Sequence, residues 1–229
     1  MSQVRVEAST NGGTQWDVLA ASVPAVNGSY AWTLPDIDSS TVLVRVVDAS
    51  NPERSDTSDA ALTLVTGTAR VIINEFLADE PAINGNPNPA YEFVEIVNTS
   101  PFSVDISGWS IWDSTNGAAR HVFPSGIRLG AGKGYVVFGG AAAVPAGRTN
   151  AAAATGGTLG LGNSNDTVRL RLPNGTVVDQ FAYTSAHVKD NVSANRSPDG
   201  DPAGTFVLHD TLPSGTASSP GARADGSEF

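Results

Sequence analysis

Arg70-Val71-Ile72-Ile73-Asn74-Glu75-Phe76-Leu77 and Glu92-Phe93-Val94-Glu95-Ile96-Val97-Asn98 are two runs rich in β-branched and aromatic residues, and their reading decides the fold. Such runs, bounded by Gly, Pro, Asn, Asp and Ser clusters, read as strands. The same texture continues downstream, with strands expected near Ser103–Asp105, Ser110–Asp113, Gly134–Phe138, Thr167–Leu172, Thr176–Tyr183 and Thr205–Leu208. Asn174-Gly175 is the strongest hairpin signal in the chain. Upstream, strands are expected near Val4–Ala8, Trp16–Ala20, Ser29–Thr33, Val42–Val47 and Ala61–Val65, with turns at Asn11-Gly12-Gly13 and Asn27-Gly28. Val4, Val6 and Ala8 alternate with Arg5 and Glu7, so one face is buried and one wet. No segment carries a convincing helical period. Ala151–Ala154 admits a short helix, but Pro145 and Gly156-Gly157 limit it, and a mobile surface loop over Gly139–Gly157 is the preferred reading.

Composition narrows the class. With 229 residues, 40% hydrophobic and 16% charged, the chain is that of a globular protein with room for one large or two small domains. The net charge is −10, with three basic and eight acidic residues up to Thr66 and ten and fifteen beyond it. No basic stripe exists, so no nucleic-acid partner is expected. An acidic surface favours cations, calcium first among them outside cells. The absence of cysteine excludes disulfides, thiolate metal sites and cysteine nucleophiles. No apolar stretch reaches the length of a membrane helix, so no membrane insertion is expected. Met1-Ser2-Gln3 runs straight into strand-like sequence, so for a secreted or cell-surface parent the signal peptide is expected upstream. Gly226-Ser227-Glu228-Phe229 reads as a translated cloning-site scar.

Small polar residues at Val65-Thr66-Gly67-Thr68-Ala69 place a boundary there, giving modules over residues 1–66 and 67–225, with 226–229 set aside. In the second, Ile73-Asn74-Glu75-Phe76, the Glu92–Asn98 run and Val104-Asp105-Ile106-Ser107-Gly108-Trp109 come in that order. Phe123-Pro124, Leu129-Gly130-Ala131-Gly132, Tyr135-Val136-Val137-Phe138, Leu161–Leu170 and Asn174-Gly175 with Val178-Asp179 follow. Over about residues 70–221 this series resembles a bacterial lamin tail domain. The resemblance implies a compact immunoglobulin-like β-sandwich used as an extracellular accessory module. No heptad segment precedes it, so a filament role is not implied. Val4–Trp16, Gly28–Pro35 and Val44–Asp48 resemble a bacterial extracellular immunoglobulin-like or fibronectin-like module over about residues 3–65, without the strand or two expected before Val4. The fold expected is all-β, two tandem immunoglobulin-like sandwiches, the first lacking its N-terminal strands. A missing strand leaves an open edge at Val4–Ala8, through which self-association is expected.

Candidate site residues are few. Glu75, Asp79, Glu92 and Glu95 lie on or beside two strands expected to be neighbours, and can offer hard oxygens to calcium. Against this, no twelve-residue calcium loop is present, and Glu92 and Glu95 point to opposite sides of a regular strand. Trp109 and Trp112 also face opposite ways, which puts Trp109 in the core and leaves Trp112 for a ligand. Trp16 and Trp32 are expected in the core of the first module. Asp199-Gly200-Asp201-Pro202 reads as a turn, and Asp48, Asn51, Glu53, Asp56 and Asp59 as a loop. Asn98-Thr99-Ser100 and Asn174-Gly175-Thr176 match glycosylation sequons. His121, His187 and His209 form no metal spacing, and no Gly-x-Ser-x-Gly elbow occurs. The function expected is a non-catalytic extracellular or cell-surface binding or structural pair that engages a protein, glycan or surface component or positions a neighbouring domain. The alternative is an accessory segment of a secreted hydrolase or nuclease.

Overall fold

The computed structural model describes residues 1–35, 37–64, 67–82, 84–115 and 117–229. The chain divides into two compact units, Met1–Gly67 and Thr68–Phe229.

The first unit contains β1 (Gln3–Ser9), β2 (Asp17–Pro24), β3 (Ser39–Asp48), β4 (Asn51–Thr57) and β5 (Leu62–Leu64). They form one sheet in the order β2-β1-β3-β4, with β5 beside the start of β3. Asn11-Gly12-Gly13 makes the first turn, its glycines at φ +69° and +86°. β1 is the central strand: it pairs with β2 on one side and β3 on the other from Val4 to Ala8. The open edge expected at Val4–Ala8 is therefore absent, because β2 and β3 occupy both of its sides. Residues 29–33 carry no regular structure, whereas Asn51–Thr57, read as a loop, is an edge strand. Its residues are polar and solvated, and only the backbone ladder to β3 reveals it. Val65, the end of the last expected strand, lies outside the described residues.

The second unit contains β6 (Val71–Leu77), β7 (Phe93–Asn98), β8 (Val104–Asp105), β9 (Ser110–Trp112), β10 (His121–Val122), β11 (Arg128–Leu129), β12 (Gly134–Phe138), β13 (Ala151–Ala153), β14 (Asp166–Arg171), β15 (Val177–Tyr183), β16 (Ala194–Ser197) and β17 (Thr205–Leu208). A six-stranded sheet, β13-β12-β7-β6-β16-β17, faces a four-stranded sheet, β10-β9-β14-β15, and β11 pairs with β8. Between them lies one core to which the large sheet sends Ile73, Phe76, Val94, Ile96 and Val137, and the smaller Ile111, Val168 and Leu170. Each such side chain, fully removed from water, contributes about 1.5–3 kcal/mol. Phe76, Tyr183, Phe181 and Phe206 stack at one end, with centroids 4.1–6.0 Å apart. Arg196 ties the layers together there: Nε donates to the Ile73 carbonyl at 2.7 Å, and Nη2 meets Asp179 at 2.9 Å.

The segment Gly139–Gly157, read as a loop, is bonded to the sheet instead. Ala151–Ala153 runs parallel to Val136–Phe138 as β13, so tertiary pairing overrides the helix preference of alanine. Gly139 shows how closely this connection packs: it donates its N–H to the Glu92 carbonyl, and a Cβ there would lie 1.8 Å from the Pro89 carbonyl oxygen. Gly139→Ala must displace backbone, and the expected loss is about 2 kcal/mol or more by urea unfolding. An unchanged midpoint would refute the packing described.

Candidate functional site

The strongest concentration of charge inside the protein lies on the outer face of the large sheet, at β6 and β7. Glu75 and Glu95 are direct cross-strand partners, and both are fully buried. Like charges placed opposite one another in a sheet repel. A register shift after Ile73 brings in Asn74, whose Nδ2 donates to Glu95 at 2.9 Å and to Asp199 at 2.8 Å. Asn195 on β16 donates to the same Asp199 oxygen at 3.2 Å.

Further donors come from the C-terminal strap, residues 216–229, which has no helix or strand. The Ser219 N–H donates to Glu75 at 2.9 Å, Gly221 N–H to Glu95 at 2.6 Å, and Ala224 N–H to Asp199 at 2.8 Å. The Ser193 hydroxyl adds a 2.5 Å bond to Glu75. Buried His209 has Nδ1 2.9 Å from the Thr216 carbonyl oxygen and Nε2 2.9 Å from Ser219 Oγ. Burial pushes both carboxyls up, Glu95 well above the ordinary carboxylate range because Glu75 adds its repulsion. The stretch 226–229, set aside as a scar, is packed on the sheet in the structure: the Phe229 ring lies on Ile72 and Val97 beneath the Arg223 guanidinium, and Lys133 Nζ reaches the Phe229 carbonyl.

The four carboxylates expected to share a calcium ion do not converge. Glu92 precedes β7 and turns to the loop before β14, accepting from the N–H of Gly160 at 2.8 Å and of Leu161 at 3.2 Å. Asp79 accepts from Asn163 Nδ2 at 2.8 Å. Only Glu75 and Glu95 meet, and their oxygens are taken by protein donors. Among the described residues no group of three or more His, Cys, Asp or Glu side chains is placed to hold a metal ion.

Further buried titratable groups lie elsewhere in the second unit. Burial raises Glu92 to about 7 against its two N–H donors, with Glu80 adding to the rise. His121, on β10, is buried against Phe123, and neither ring nitrogen has a well-formed hydrogen bond; burial lowers its pKa to about 4. Burial would raise Asp113 as well, but the Arg120 guanidinium holds it below the usual carboxylate range.

The tryptophans divide differently from expectation. Trp109 is in the core of the second unit, and Trp112 is half-buried on the other side, its Nε1 bonded to Ser110 Oγ and one ring face covered by Arg171 at 4.7 Å. Trp16 and Trp32 are only half-buried, because among the described residues of the first unit no second sheet covers them. Trp16 lies under Arg45, which also pairs with buried Glu7. Trp32 lines an apolar groove of about 510 Å³ with Val4, Val6, Leu19, Val23, Tyr30, Val44 and Val46. The sequon at Asn98 is unavailable to glycan chemistry, since its buried amide donates to the carbonyls of Phe102, Leu129 and Gly130.

Asn195 and Ser219 carry no signal in the sequence, where Asp199 reads only as a turn residue and His209 only as outside any metal spacing. Asp-Gly-Asp-Pro signals a turn whatever its carboxylate does, and a strap of Ser, Ala, Gly and Pro carries no periodicity.

An all-β sandwich with short ladders and a single well-formed core is the class this architecture defines. The lamin tail domain family matches residues 65–185, just over half of the chain, and the chain belongs to that family, an immunoglobulin-like one. β16, β17 and the strap lie beyond the matched residues. No curated protein matches the chain. Among solved structures, it is similar to a DUF4876 family protein from Bacteroides thetaiotaomicron VPI-5482, at 15% identity and a TM-score of 0.27. That similarity covers 59% of this chain and 43% of that one, too slight a likeness to carry an argument.

The two shifted groups near the loop before β14 act on stability with opposite signs. Glu92 binds its proton more tightly folded than unfolded, so its contribution is present below about 4.5 and is lost as pH rises towards about 7. That loss is about 3 kcal/mol at most. His121 binds its proton less tightly when folded, so its contribution is present above 6.5 and is lost as pH falls towards about 4. Denaturant unfolding at pH 5 and pH 7.5 should show Glu92→Gln gaining on the wild type as pH rises. His121→Phe should gain on it as pH falls. Parallel pH profiles for all three proteins would contradict both assignments.

Proposed function

We propose that this chain is a non-catalytic, extracellular or cell-surface module pair that engages a protein partner and positions neighbouring domains. The observation that carries the reading is the groove of the first unit, where a single sheet leaves Val46 and Tyr30 37% and 41% exposed beside Val4, Val6 and Trp32. Apolar surface of this kind, walled by aromatic residues, suits extended protein segments, whose side chains alternate into it. β2 supports the same reading. Apart from Asp17 it is uncharged, Asp17-Val-Leu-Ala-Ala-Ser-Val-Pro24, and among the described residues no strand pairs with its outer edge, whereas β4 at the opposite edge carries charges and Pro52. A non-catalytic role is supported by the carboxylates of the second unit, whose oxygens are engaged by internal donors rather than facing a cleft.

Calcium, where it binds, acts on this reading at the surface and not through the Glu75, Asp79, Glu92 and Glu95 set. A glycan partner would draw on Trp112, whose remaining ring face is the lesser surface. Titration of the chain with amphipathic β-strand peptides, read by tryptophan fluorescence, should give a saturable change that Trp32→Ala abolishes and Trp112→Ala leaves intact. Turnover of generic ester, glycoside or phosphodiester substrates by the chain would overturn the non-catalytic reading. A fluorescence change lost in Trp112→Ala instead would move the site to the second unit.

A further inference from the structure

The outer face of the large sheet is a groove already filled by an extended peptide, namely the chain's own strap, and the contacts between them are generic in a particular way. The three anchors at Glu75, Glu95 and Asp199 are met by backbone N–H groups of Ser219, Gly221 and Ala224, which any non-proline residue provides. The walls are close at the centre of the strap: Gly221, at φ +81°, leaves no room for a Cβ against the Arg148 guanidinium, which donates to the Pro220 carbonyl at 2.6 Å.

The strap also satisfies the groove incompletely. Asn195, fully buried, spends its Nδ2 on Asp199 and the Arg196 carbonyl, while its Oδ1 has no hydrogen-bond partner. Leaving a buried acceptor unpaired is unfavourable, and the groove has one acceptor more than the strap has donors. No cation of the strap reaches the carboxylates either: Arg223 covers the Phe229 ring.

We infer that this groove is a binding site for an extended, small-residue segment of a partner protein that carries a lysine or arginine into the Glu75–Glu95–Asp199–Asn195 cluster, and that the strap is its resident substitute. The partner segment needs glycine where Gly221 sits, backbone N–H groups two and three residues to either side, and one cationic side chain. That cation supplies the missing donor and brings a full positive charge to carboxylates that the strap meets only with uncharged donors, the three N–H groups and the Ser219 hydroxyl at 3.1 Å from Glu75. Buried opposite charges are screened far less than exposed ones. Binding then displaces residues 216–229 by exchange at Pro213-Ser214-Gly215, where Gly215 at φ +65° turns the chain into the strap.

A proton balance distinguishes this site from a purely structural clasp. Glu75 and Glu95 hold their protons above the ordinary carboxylate range, and the titratable groups facing them are Asp199 from the loop after β16 and His209 after β17. A cation entering the cluster favours the ionised carboxylates, so the complex forms with release of a proton and tightens as pH rises.

The test uses the full-length chain and two fluorescent peptides titrated to millimolar concentration, the native sequence of residues 214–229 and the same peptide with Ala224→Lys, the position whose N–H sits on Asp199. We expect the lysine peptide to bind about tenfold tighter than the native one, with affinity rising from pH 6 to pH 8 for the lysine peptide alone. Equal affinities, or no binding by either peptide, overturn the inference and leave the strap a structural clasp or an element exchanged between copies.

Discussion

Two glutamates face each other across β6 and β7 on the side of the sheet away from the core. A sheet can bury a carboxylate pair only if donors surround it, because an ionised carboxylate in low dielectric without partners is strongly unfavourable. Much of the second unit follows from that demand. The bulge at Asn74 supplies one donor, Ser193 before β16 a second, and the rest arrive from a segment more than a hundred residues later in the chain. The C-terminal strap is thus ordered not by its own sequence but by the acceptors beneath it. Its path over Glu75, Glu95 and Asp199 covers a face that would otherwise admit water to the pair.

The two units solve the problem of a one-sided sheet differently. In the second, a four-stranded sheet closes over one face of the large sheet and the strap covers part of the other, so the central strands are buried throughout. In the first, five strands bend into one sheet and only a few side chains, Val42 and Val47 foremost, are withdrawn from water. The apolar groove beside Trp32 is what remains where a second layer would lie. That difference places an adaptable, exposed surface in the small unit and a rigid, internally satisfied scaffold in the large one.

The sandwich of the second unit was legible because its signal is local. Val71–Leu77, Phe93–Asn98 and Gly134–Phe138 are dense runs of β-branched and aromatic residues, interrupted only by Asn74, Glu75 and Glu95 before the closing Asn98, and such runs have few alternatives to a buried strand. Asn174-Gly175 fixed a hairpin for the same reason. The failures are equally physical. Ala151–Ala153 becomes a strand only because β12 offers a parallel edge, and Asn51–Thr57 only because β3 offers an antiparallel one; neither partner is visible from the segment itself. The candidate site was half legible. Glu75 and Glu95 could be placed on neighbouring strands from their spacing, but their donors come from Ser219 and Gly221, and no periodicity links positions so far apart. Glu92, by contrast, sits before the strand begins and escapes its alternation, which is why it turns towards Gly160 rather than joining the pair.

The single-layer build of the first unit has a mechanical side. A sheet whose faces are only partly covered resists little beyond the strength of its ladders, and a 67-residue unit of this kind is marginal by size as well. Drawn out between its ends, it would yield before the double-layered unit and release a contour of roughly 220 Å at about 3.3 Å per residue. A chain bearing load through both units would therefore carry its slack in the first and keep the buried carboxylates of the second under cover.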